Sequence, residues 1–421
     1  MAVKPAEAPH SGQKLFYGWY VLGAAFMILF FNAGARISIG VIFKPMLVDF
    51  GWNRGVISLA FFLNMVFYAI SLTVLGRLYD RYGPKWVIII STLFLSVGFI
   101  LMPFAANTWQ FFLYYGVISA IGLGGTSIPL FATITAKWFV RRRGLAVSLA
   151  LSGNSIGQFA LVPLFTYFVL NSGWRISILA LGIVILVVNI IMAVMVINGD
   201  PDDLGHRPYG TTEDSPDLVL AAKSEASNDF GLKDAARTRS FWFIMVLMLI
   251  CGSADFLVAT HLIPMVTDHG ISPTTAGSML AWFGLVSLLG MLLAGPAADR
   301  IGNKIPIAIT FLLRILLFIF ILKFKTVLAF YLFSLLFGLT FLVTAPIMPM
   351  LVSKLYGMTH LGLLCGFITT IHHLAGGFWA WLGGVVFDKT GDYQLIFIVS
   401  AVMAFIAFLC SLAISEKKHI K

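Results

Sequence analysis

Long apolar stretches alternate with short polar connections along almost the whole chain. Twelve of these stretches reach the roughly 20 apolar residues that a helix needs to cross the hydrocarbon core of a bilayer. Only helices and closed barrels satisfy every backbone hydrogen bond in lipid, and these runs are too long for tilted strands. The pattern therefore predicts an all-α integral membrane protein with twelve transmembrane helices.

We number the predicted helices 1 to 12 in chain order. They span residues 17–43, 54–76, 85–105, 109–136, 144–169, 176–197, 241–265, 273–296, 305–323, 327–350, 361–386 and 393–414. The gap between helices 6 and 7 is the longest hydrophilic stretch, and its Asp, Ser, Pro and Gly content is typical of a flexible connection. We therefore predict an N-terminal six-helix bundle (1–197), a linker (198–240) and a C-terminal six-helix bundle (241–421).

The positions of Lys and Arg predict how the helices are oriented in the membrane. If both termini and the linker share one side, that side contains 20 Lys and Arg residues and the opposite side contains six. Positive charge marks the cytoplasmic side, so both termini are predicted to be cytoplasmic. The basic run of Lys137, Arg141, Arg142 and Arg143 before helix 5 fits the same topology signal.

Composition removes several other classes of protein from consideration. Hydrophobic residues make up 59% of the chain and charged residues only 11%, against about 25% charged residues in soluble domains. The net charge of +10 is spread over short loops, so no nucleic-acid partner is predicted. Cys251, Cys365 and Cys410 have no metal-ligand spacing and are expected to be packing residues, so no metal and no cofactor are predicted. The polar N-terminal segment does not resemble a signal peptide.

One loop motif occurs twice. Residues 76–86 (GRLYDRYGPKW) follow helix 2, and residues 295–305 (GPAADRIGNKI) follow helix 8, so the two copies start 219 residues apart. Both read G-x-x-x-D-R-x-G-x-K, and repeated halves are typical of secondary transporters. Glycine permits a tight turn, and a helix terminus or a neighbouring arginine can hold the aspartate. The predicted conformational latch consists of Gly76, Asp80, Arg81, Gly83, Gly295, Asp299, Arg300 and Gly302.

These loops resemble the loop signature of the major facilitator superfamily, and the resemblance covers essentially the whole chain. Three further stretches resemble its monocarboxylate transporter branch and the related oxalate:formate antiporters: FYGWYVLGAAF, KWFVRRRGLAVSLALSGNSIGQFALVPL and WLGGVVFDKTGDY. The resemblance implies a secondary transporter and not an enzyme. It would move a small organic carboxylate with a proton, by alternating access to a site at mid-membrane. A bacterial inner membrane is the expected location, and no obligatory protein partner is expected.

Three functions remain open at this point. Proton-coupled symport of a lactate- or pyruvate-like monocarboxylate follows from the resemblance. Helix 8 favours a second function, either organic anion antiport or transport of a larger or less acidic compound. Many relatives carry an anion-binding arginine eight residues before the second-loop aspartate, and Met291 occupies that position here. A non-transporting receptor is the third function, although a static scaffold has little use for two latch loops.

Ionisable residues inside predicted helices are candidates for the site because charge is costly in lipid. Arg36 in helix 1 can clamp a carboxylate or pair with a structural partner; the resemblance places the family's basic residue one position away, at Ile37. Asp255 in helix 7 is predicted to carry a proton, to pair with Arg36 or to form a fixed salt bridge. His261, beside Pro264, is a second proton-coupling candidate and is expected to be partly hydrated. Asp255 and His261 lie about 120° apart around the helix.

Helix 11 contributes the adjacent residues His372 and His373, which point about 100° apart. The resemblance to oxalate:formate antiporters places their anion-binding lysine at His372, which is therefore predicted to bind substrate and to couple it to a proton. His373 shares a face with several glycines and is predicted to pack between helices; both histidines being structural is the alternative. Arg314 in helix 9 is expected at the periphery. Tyr115 and Tyr331 are expected to line the cavity, because helices 4 and 10 commonly do so in the superfamily.

Overall fold

A computed structural model describes residues 16–139, 143–201, 204–205, 207–210, 230–357 and 360–416, without the side chains of Asp80 and Arg143. These residues are almost entirely helical and contain no β-strand; Phe139 and Tyr209 form one isolated bridge. Most of the predicted linker and the basic residues Arg141 and Arg142 lie outside the described residues.

The described residues contain twelve membrane helices, α1 to α12, in the predicted order. They are α1 Tyr17–Phe50, α2 Arg54–Tyr79, α3 Arg81–Phe104, α4 Thr108–Trp138, α5 (144–172), α6 (174–195), α7 Arg239–Asp268, α8 Pro273–Ile301, α9 Lys304–Lys323, α10 Val327–Tyr356, α11 Leu361–Thr390 and α12 Gln394–Ala413. The predicted all-α membrane fold is therefore confirmed. The positive φ angle at Gly173 (80°) separates α5 from α6, and the one at Gly83 (76°) marks a kink in the first turn of α3, next to its junction with α2.

The polar residues between the apolar runs fix where several helices begin and end. The Asn53 side chain accepts a hydrogen bond from the Val56 N–H at the start of α2, and Ser272 caps α8 in the same way. α1 ends at Phe50, seven residues beyond the predicted boundary at residue 43, and is followed by Gly51 in a left-handed conformation. This extension carries Lys44, which lies 2.7 Å from Asp268 at the end of α7.

Glycines bring neighbouring helices into backbone contact within each half of the molecule. A Cβ atom at Gly153 of α5 would overlap the Phe26 carbonyl oxygen of α1, and one at Gly252 of α7 would overlap the His372 carbonyl oxygen of α11. Small residues of this kind are what allows close helix packing in membranes. The contact at Gly252 fixes the distance between the two helices that carry Asp255 and the histidines.

The two halves, α1–α6 and α7–α12, touch mainly along two pairs of helices. α11 packs against α2, where a Cβ atom at Gly384 would lie 2.6 Å from the Ser58 hydroxyl oxygen. α5 packs against α8, where the Gln158 side-chain amide donates to the Leu280 carbonyl at 3.1 Å.

Buried apolar clusters show at which end the halves meet. We call the end where α1 begins and α12 ends the terminus side, and the other end the far side. Near the terminus side, one cluster contains only residues of the first half, such as Ile28, and another only residues of the second half, such as Leu351. A third cluster, in the middle and toward the far side, joins both halves through residues such as Ile42 and Val266. The halves are therefore packed together on the far side.

Replacing Gly252 with alanine is expected to lower the free energy of unfolding by about 1–3 kcal/mol, because the new methyl group overlaps the His372 carbonyl. Gly23→Ala is the matched control: Gly23 lies inside α1 with nothing within 4 Å of the added Cβ atom. Alanine favours helices over glycine, so this control should be neutral or slightly stabilising. Denaturation midpoints of the purified variants in detergent provide the measurement. Equal midpoints would show that the close contact is not needed.

Candidate functional site

Asp255 of α7 and Arg314 of α9 form an ion pair in the middle of the second half. Arg314 Nη2 lies 2.6 Å from Asp255 Oδ1, and the two side chains are 0% and 3% exposed. Arg314 also donates to the hydroxyl and the carbonyl oxygen of Thr340, at 3.0 and 3.1 Å. The expected peripheral position of Arg314 is therefore wrong. It lies near the middle of α9, about 15 Å from either helix end, too far for its side chain to reach the lipid headgroups.

The second carboxylate oxygen of Asp255 faces two further polar groups. The Cys251 thiol donates to Asp255 Oδ2 at 3.3 Å, and His372 Nε2 lies 3.9 Å from the same oxygen. The structure thus brings the candidates Asp255 and His372 together. The predicted pairing of Asp255 with Arg36 is wrong, because Arg314 lies closer in the fold and occupies that carboxylate.

Cys251, Asp255 and His372 place three potential metal-ligating atoms within 4.8 Å of one another. Thiolate, carboxylate and imidazole together would suit a zinc-type ion. The Arg314 guanidinium, however, lies 2.6 Å from the Asp255 carboxylate and 3.6 Å from the Cys251 sulfur. It already supplies the positive charge that a metal ion would supply, and a second cation there would be repelled. We therefore interpret the cluster as an ion pair with two polar neighbours.

His372 and His373 face different neighbours, as their angular separation predicts. The His372 side chain is 15% exposed and lies beside Asp255, and its Nδ1 has no hydrogen-bond partner among the residues that the structure describes. His373 Nδ1 lies 2.8 Å from the Thr369 carbonyl oxygen, and its ring lies 5.0 Å from the ring of Tyr68 in α2. His373 therefore packs against α2, but its side chain is only half-buried.

Arg36 lies near the middle of α1, with its guanidinium 4.5 Å from the centre of the Tyr68 ring. Its Nη2 atom is buried and has no hydrogen-bond partner in the described part of the chain. Within the described residues, no carboxylate lies within ion-pair distance of this side chain. Tyr115 of α4 is near enough to interact electrostatically with Arg36. Arg36 is thus a half-buried cation that lies over the Tyr68 ring and has no carboxylate partner among the described residues.

The two histidines connect Arg36 with the buried ion pair. Arg36 and His373 border the same Tyr68 ring, the His373 and His372 rings are 5.2 Å apart, and His372 borders Asp255. This row of side chains runs from the first half of the molecule into the second. We call Arg36, Tyr68, His373, His372 and Asp255 the central row.

His261, near the far side, is buried and fully hydrogen-bonded, so the expected partial hydration is wrong for this conformation. Its Nε2 lies 2.8 Å from the Ala380 carbonyl, which only accepts, so Nε2 carries the hydrogen. Arg54 donates to the Tyr393 hydroxyl at 2.6 Å, and that hydroxyl therefore donates to His261 Nδ1 at 3.0 Å. Burial raises the pKa of Tyr393, which keeps the hydroxyl protonated, although the neighbouring Arg54 guanidinium opposes the shift.

Arg54 also belongs to a set of contacts that joins the two halves on the far side. Its guanidinium lies 2.7 Å from Asp268, which Lys44 contacts at the same distance. The Asp388 carboxylate at the end of α11 accepts the backbone N–H groups of Arg54 and Gly55 at 3.0 and 2.6 Å, where the α2 helix dipole favours an anion. The cross-half lock consists of Lys44, Arg54, Asp268, Asp388 and Tyr393.

The sequence prediction missed all members of this lock. Lys44 and Arg54 count only as topology signals in the sequence, and Asp268 and Asp388 lie at helix ends where charge is usual. Their one detectable signal is that they are charged residues next to helices that end on the same side. Only the fold shows that the last residues of helices 1, 7 and 11 lie beside the first residues of helix 2.

The repeated loops lie on the terminus side, and their described side chains form no comparable contact between the halves. Gly83 and Gly302 have φ angles of 76° and 83°, which confirms the predicted tight turns. Asp299 and Arg300 are exposed and form no ion pair with a described residue. The side chain of Asp80, a central member of the predicted latch, lies outside the description.

The remaining predicted residues lie as follows. Arg81 is exposed beside the ring of Tyr82, and Gly76 and Gly295 face open space. Their latch function stays a prediction. The Tyr331 hydroxyl lies 2.5 Å from the Ser278 hydroxyl, near the start of α10 on the far side. Tyr331 therefore lies away from the central row.

Tyr115 lies nearer the site than Tyr331, but most of its ring is committed to packing. It is 3% exposed and stacks on Phe111 at 5.6 Å. Its carbonyl accepts a hydrogen bond from Asn64 at 2.6 Å. Met291 is half-buried in α8, where the resemblance leads one to expect an arginine.

Comparisons with known proteins agree with this fold. The family model described as Major Facilitator Superfamily matches residues 25–267 and 247–420. An uncharacterized MFS-type transporter, YcxA, from Bacillus subtilis (strain 168) is 26% identical over 95% of this chain and 98% of that protein. Monocarboxylate transporter 13 from Rattus norvegicus is 24% identical over 94% of this chain and 88% of that protein.

Solved structures of low sequence identity share the architecture. A bacterial homolog of the human lysosomal transporter Spinster, in an inward-facing and unoccupied conformation, has a TM-score of 0.74 at 16% identity and covers 96% of this chain and 98% of its own. A D-xylose-proton symporter has a TM-score of 0.69 at 15% identity, covering 97% of this chain and 99% of its own. These likenesses show the fold alone.

Replacing Arg54 with glutamine is expected to weaken the cross-half lock and to open the far side. Nitroxide labels at Asn171 and Gln394, both exposed on the far side, report the distance between the halves. The distance distribution should shift to longer values in the variant.

The control for this experiment is Asp49→Asn. It breaks an ion pair of 2.9 Å between Asp49 and Arg175 on the same side, but within one half. This change should leave the inter-label distance as it is. A distance unaffected by the loss of Arg54 would show that the lock does not hold the halves together.

Asp255→Asn is expected to lower the free energy of unfolding by about 3–5 kcal/mol, because it leaves the Arg314 charge buried without its counter-ion. Adding Arg314→Met removes the charge and should restore much of that loss. Denaturation midpoints in detergent compare the two variants. If the double variant is no more stable than the single one, the pair does not stabilise the fold as an ion pair.

Proposed function

We propose that this chain, which belongs to the Major Facilitator Superfamily, is a transporter that moves a small organic carboxylate together with a proton. Lactate- and pyruvate-like monocarboxylates are the substrate class. The monocarboxylate transporters among its relatives, aligned over most of their length, support this choice. Arg36 is the single structural feature on which the proposal depends most.

Arg36 is a cation in the membrane interior without a carboxylate partner among the described residues. An unpaired charge at this depth is costly, and evolution of a purely structural site would pair it, as Asp255 pairs Arg314. A guanidinium offers two parallel N–H groups that match the two oxygens of a carboxylate. A carboxylate substrate supplies the missing negative charge, and Tyr115 lies close enough to border it.

The coupled proton is proposed to bind within the central row. Asp255 and His372 are in contact with each other, and His372 borders His373 beside the Arg36 site. A proton moving along this row stays within reach of the substrate charge. His261 has both ring nitrogens bonded in this conformation, so we assign it a coupling role only when the cross-half lock opens.

Alternating access is proposed to exchange contacts at the two ends of the molecule. The far side is closed here by the cross-half lock, and on the terminus side the buried clusters of the two halves are separate. We propose that the repeated loops join the halves when the far side opens. One six-helix bundle is proposed to precede the 198–240 linker and the other to follow it, with both termini in the cytoplasm of a bacterial cell. The terminus side then faces the cytoplasm, so this conformation is inward-facing.

Met291 favours one alternative. Since α8 has no arginine at that position, Arg36 would be the one arginine that binds the anion. One arginine binds an anion more weakly than two, and weaker binding suits the exchange of anions or the transport of a larger, less acidic substrate. Counterflow into vesicles preloaded with unlabelled substrate, without a proton gradient, distinguishes antiport from symport. Antiport gives counterflow that an imposed proton gradient does not accelerate.

Arg36→Gln is expected to lower uptake of labelled lactate or pyruvate into proteoliposomes about 10- to 100-fold, as the loss of a charged hydrogen-bond donor predicts. Arg36→Lys should recover part of the uptake, because it restores the charge but not the two-pronged geometry. An inward proton gradient drives the assay.

Arg175→Gln serves as the control, because Arg175 is a far-side arginine outside the central row. It should transport like the wild type. If the wild type takes up substrate at the same rate with and without the inward proton gradient, proton coupling is refuted. An absence of both uptake and counterflow across a panel of monocarboxylates would refute carboxylate transport.

A further inference from the structure

We propose that His373 is the group that takes up the coupled proton directly beside the substrate. This assignment rests on the proposed function, because it concerns a carboxylate held by Arg36. In the sequence, His373 looks like a packing residue and His372 like the site residue. The surroundings of the two rings reverse that division.

Arg36 and His373 lie against the same aromatic ring. The Arg36 guanidinium lies 4.5 Å from the centre of the Tyr68 ring, and the His373 ring lies 5.0 Å from it. Tyr68 is 2% exposed and packed in place, whereas Arg36 and His373 are both half-buried. A carboxylate that binds Arg36 beside this ring therefore comes close to the imidazole of His373.

The hydrogen bond of His373 determines which nitrogen is available. Nδ1 lies 2.8 Å from the Thr369 carbonyl oxygen, and a carbonyl only accepts, so Nδ1 carries a hydrogen. In the neutral ring the lone pair is then on Nε2, which has no hydrogen-bond partner within the described chain. An incoming proton binds Nε2 and turns it into a donor for a carboxylate oxygen. One nitrogen thus holds the ring in place while the other remains free for the proton.

The charges around His373 make its protonation depend on the substrate. Arg36 faces it from α1 and Tyr68 from α2; α7 contributes Phe256, with Asp255 behind His372. Two positive charges at one Tyr68 ring repel each other, so the empty site disfavours a proton on His373. A bound carboxylate removes this repulsion. By reciprocity, the proton then strengthens carboxylate binding by the same factor.

His372 has a different environment. Its Nε2 faces Asp255, and Arg314 lies on the other side of that carboxylate. These charges are present whether or not a substrate is bound, so they cannot make protonation of His372 conditional on the substrate. His372, 5.2 Å from His373, connects that residue to the ion pair.

Proton uptake on binding tests the assignment. Lactate and pyruvate are added to the purified full-length protein in weakly buffered detergent solution containing a pH indicator. The wild type should take up about one proton per carboxylate bound, with a Kd that rises about tenfold per pH unit where His373 is neutral in the free protein. His373→Asn keeps an N–H group for the Thr369 carbonyl and removes the titratable nitrogen. It should take up almost no protons and bind with a nearly pH-independent Kd.

Two further variants separate a local role from a general disturbance. His372→Asn should still take up one proton per carboxylate, and His360→Asn, at an exposed position before α11, should behave like the wild type. His373→Gln is measured in the same way, so that the result does not depend on one variant folding.

Each outcome of this experiment has a distinct meaning. Unchanged proton uptake in the His373 variants, or its loss in His372→Asn alone, would overturn the assignment but leave carboxylate transport intact. A wild type that binds neither probe would overturn the proposed function, and the assignment with it.

Discussion

A charge in the hydrocarbon core needs an opposite charge or a polar partner, and this requirement organises the interior of the protein. Arg314 satisfies it with Asp255 and Thr340, and the pair is sealed from solvent. Arg36 borders aromatic rings and has no such carboxylate within the described chain. Arg314 is therefore paired within the protein, whereas Arg36 is the arginine that we propose to bind the substrate carboxylate. His373 and His372 lie between Arg36 and the Asp255–Arg314 ion pair.

The same electrostatic requirement acts at the far side, where water competes less than at an open surface. The Arg54 side chain is only 8% exposed, and it contacts Asp268, Tyr393 and the ring of Phe387 instead of solvent. Such a lock is strong only while the helix ends stay together, because each partner comes from a different helix. Opening the far side must break these contacts together and hydrate the charges. The His261 hydrogen bonds connect this event with the helix that carries Asp255.

Several features of the site follow from local sequence. Asp255 and His372 are recognisable as candidates because ionisable residues are rare in apolar helices, and the structure brings them together. The sequence places Arg314 at the periphery because its helix occupies a position in the bundle that commonly faces lipid, and only the fold brings the Asp255 carboxylate of α7 within 2.6 Å of it. The glycine-rich face of His373 indicates packing, and only the fold shows that its ring lies beside the Tyr68 ring that Arg36 also borders.

The sequence by itself determined the number, order and type of the helices, because apolar runs of bilayer length have no other stable conformation in lipid. It also determined the tight turns at Gly83 and Gly302, since glycine adopts a positive φ angle without strain. The tertiary structure alone decided which charges are paired, which end of the molecule is closed and which histidine borders Arg36. These features depend on distances between residues far apart in the chain, and such distances are set by how helices pack and not by the pattern along any one of them.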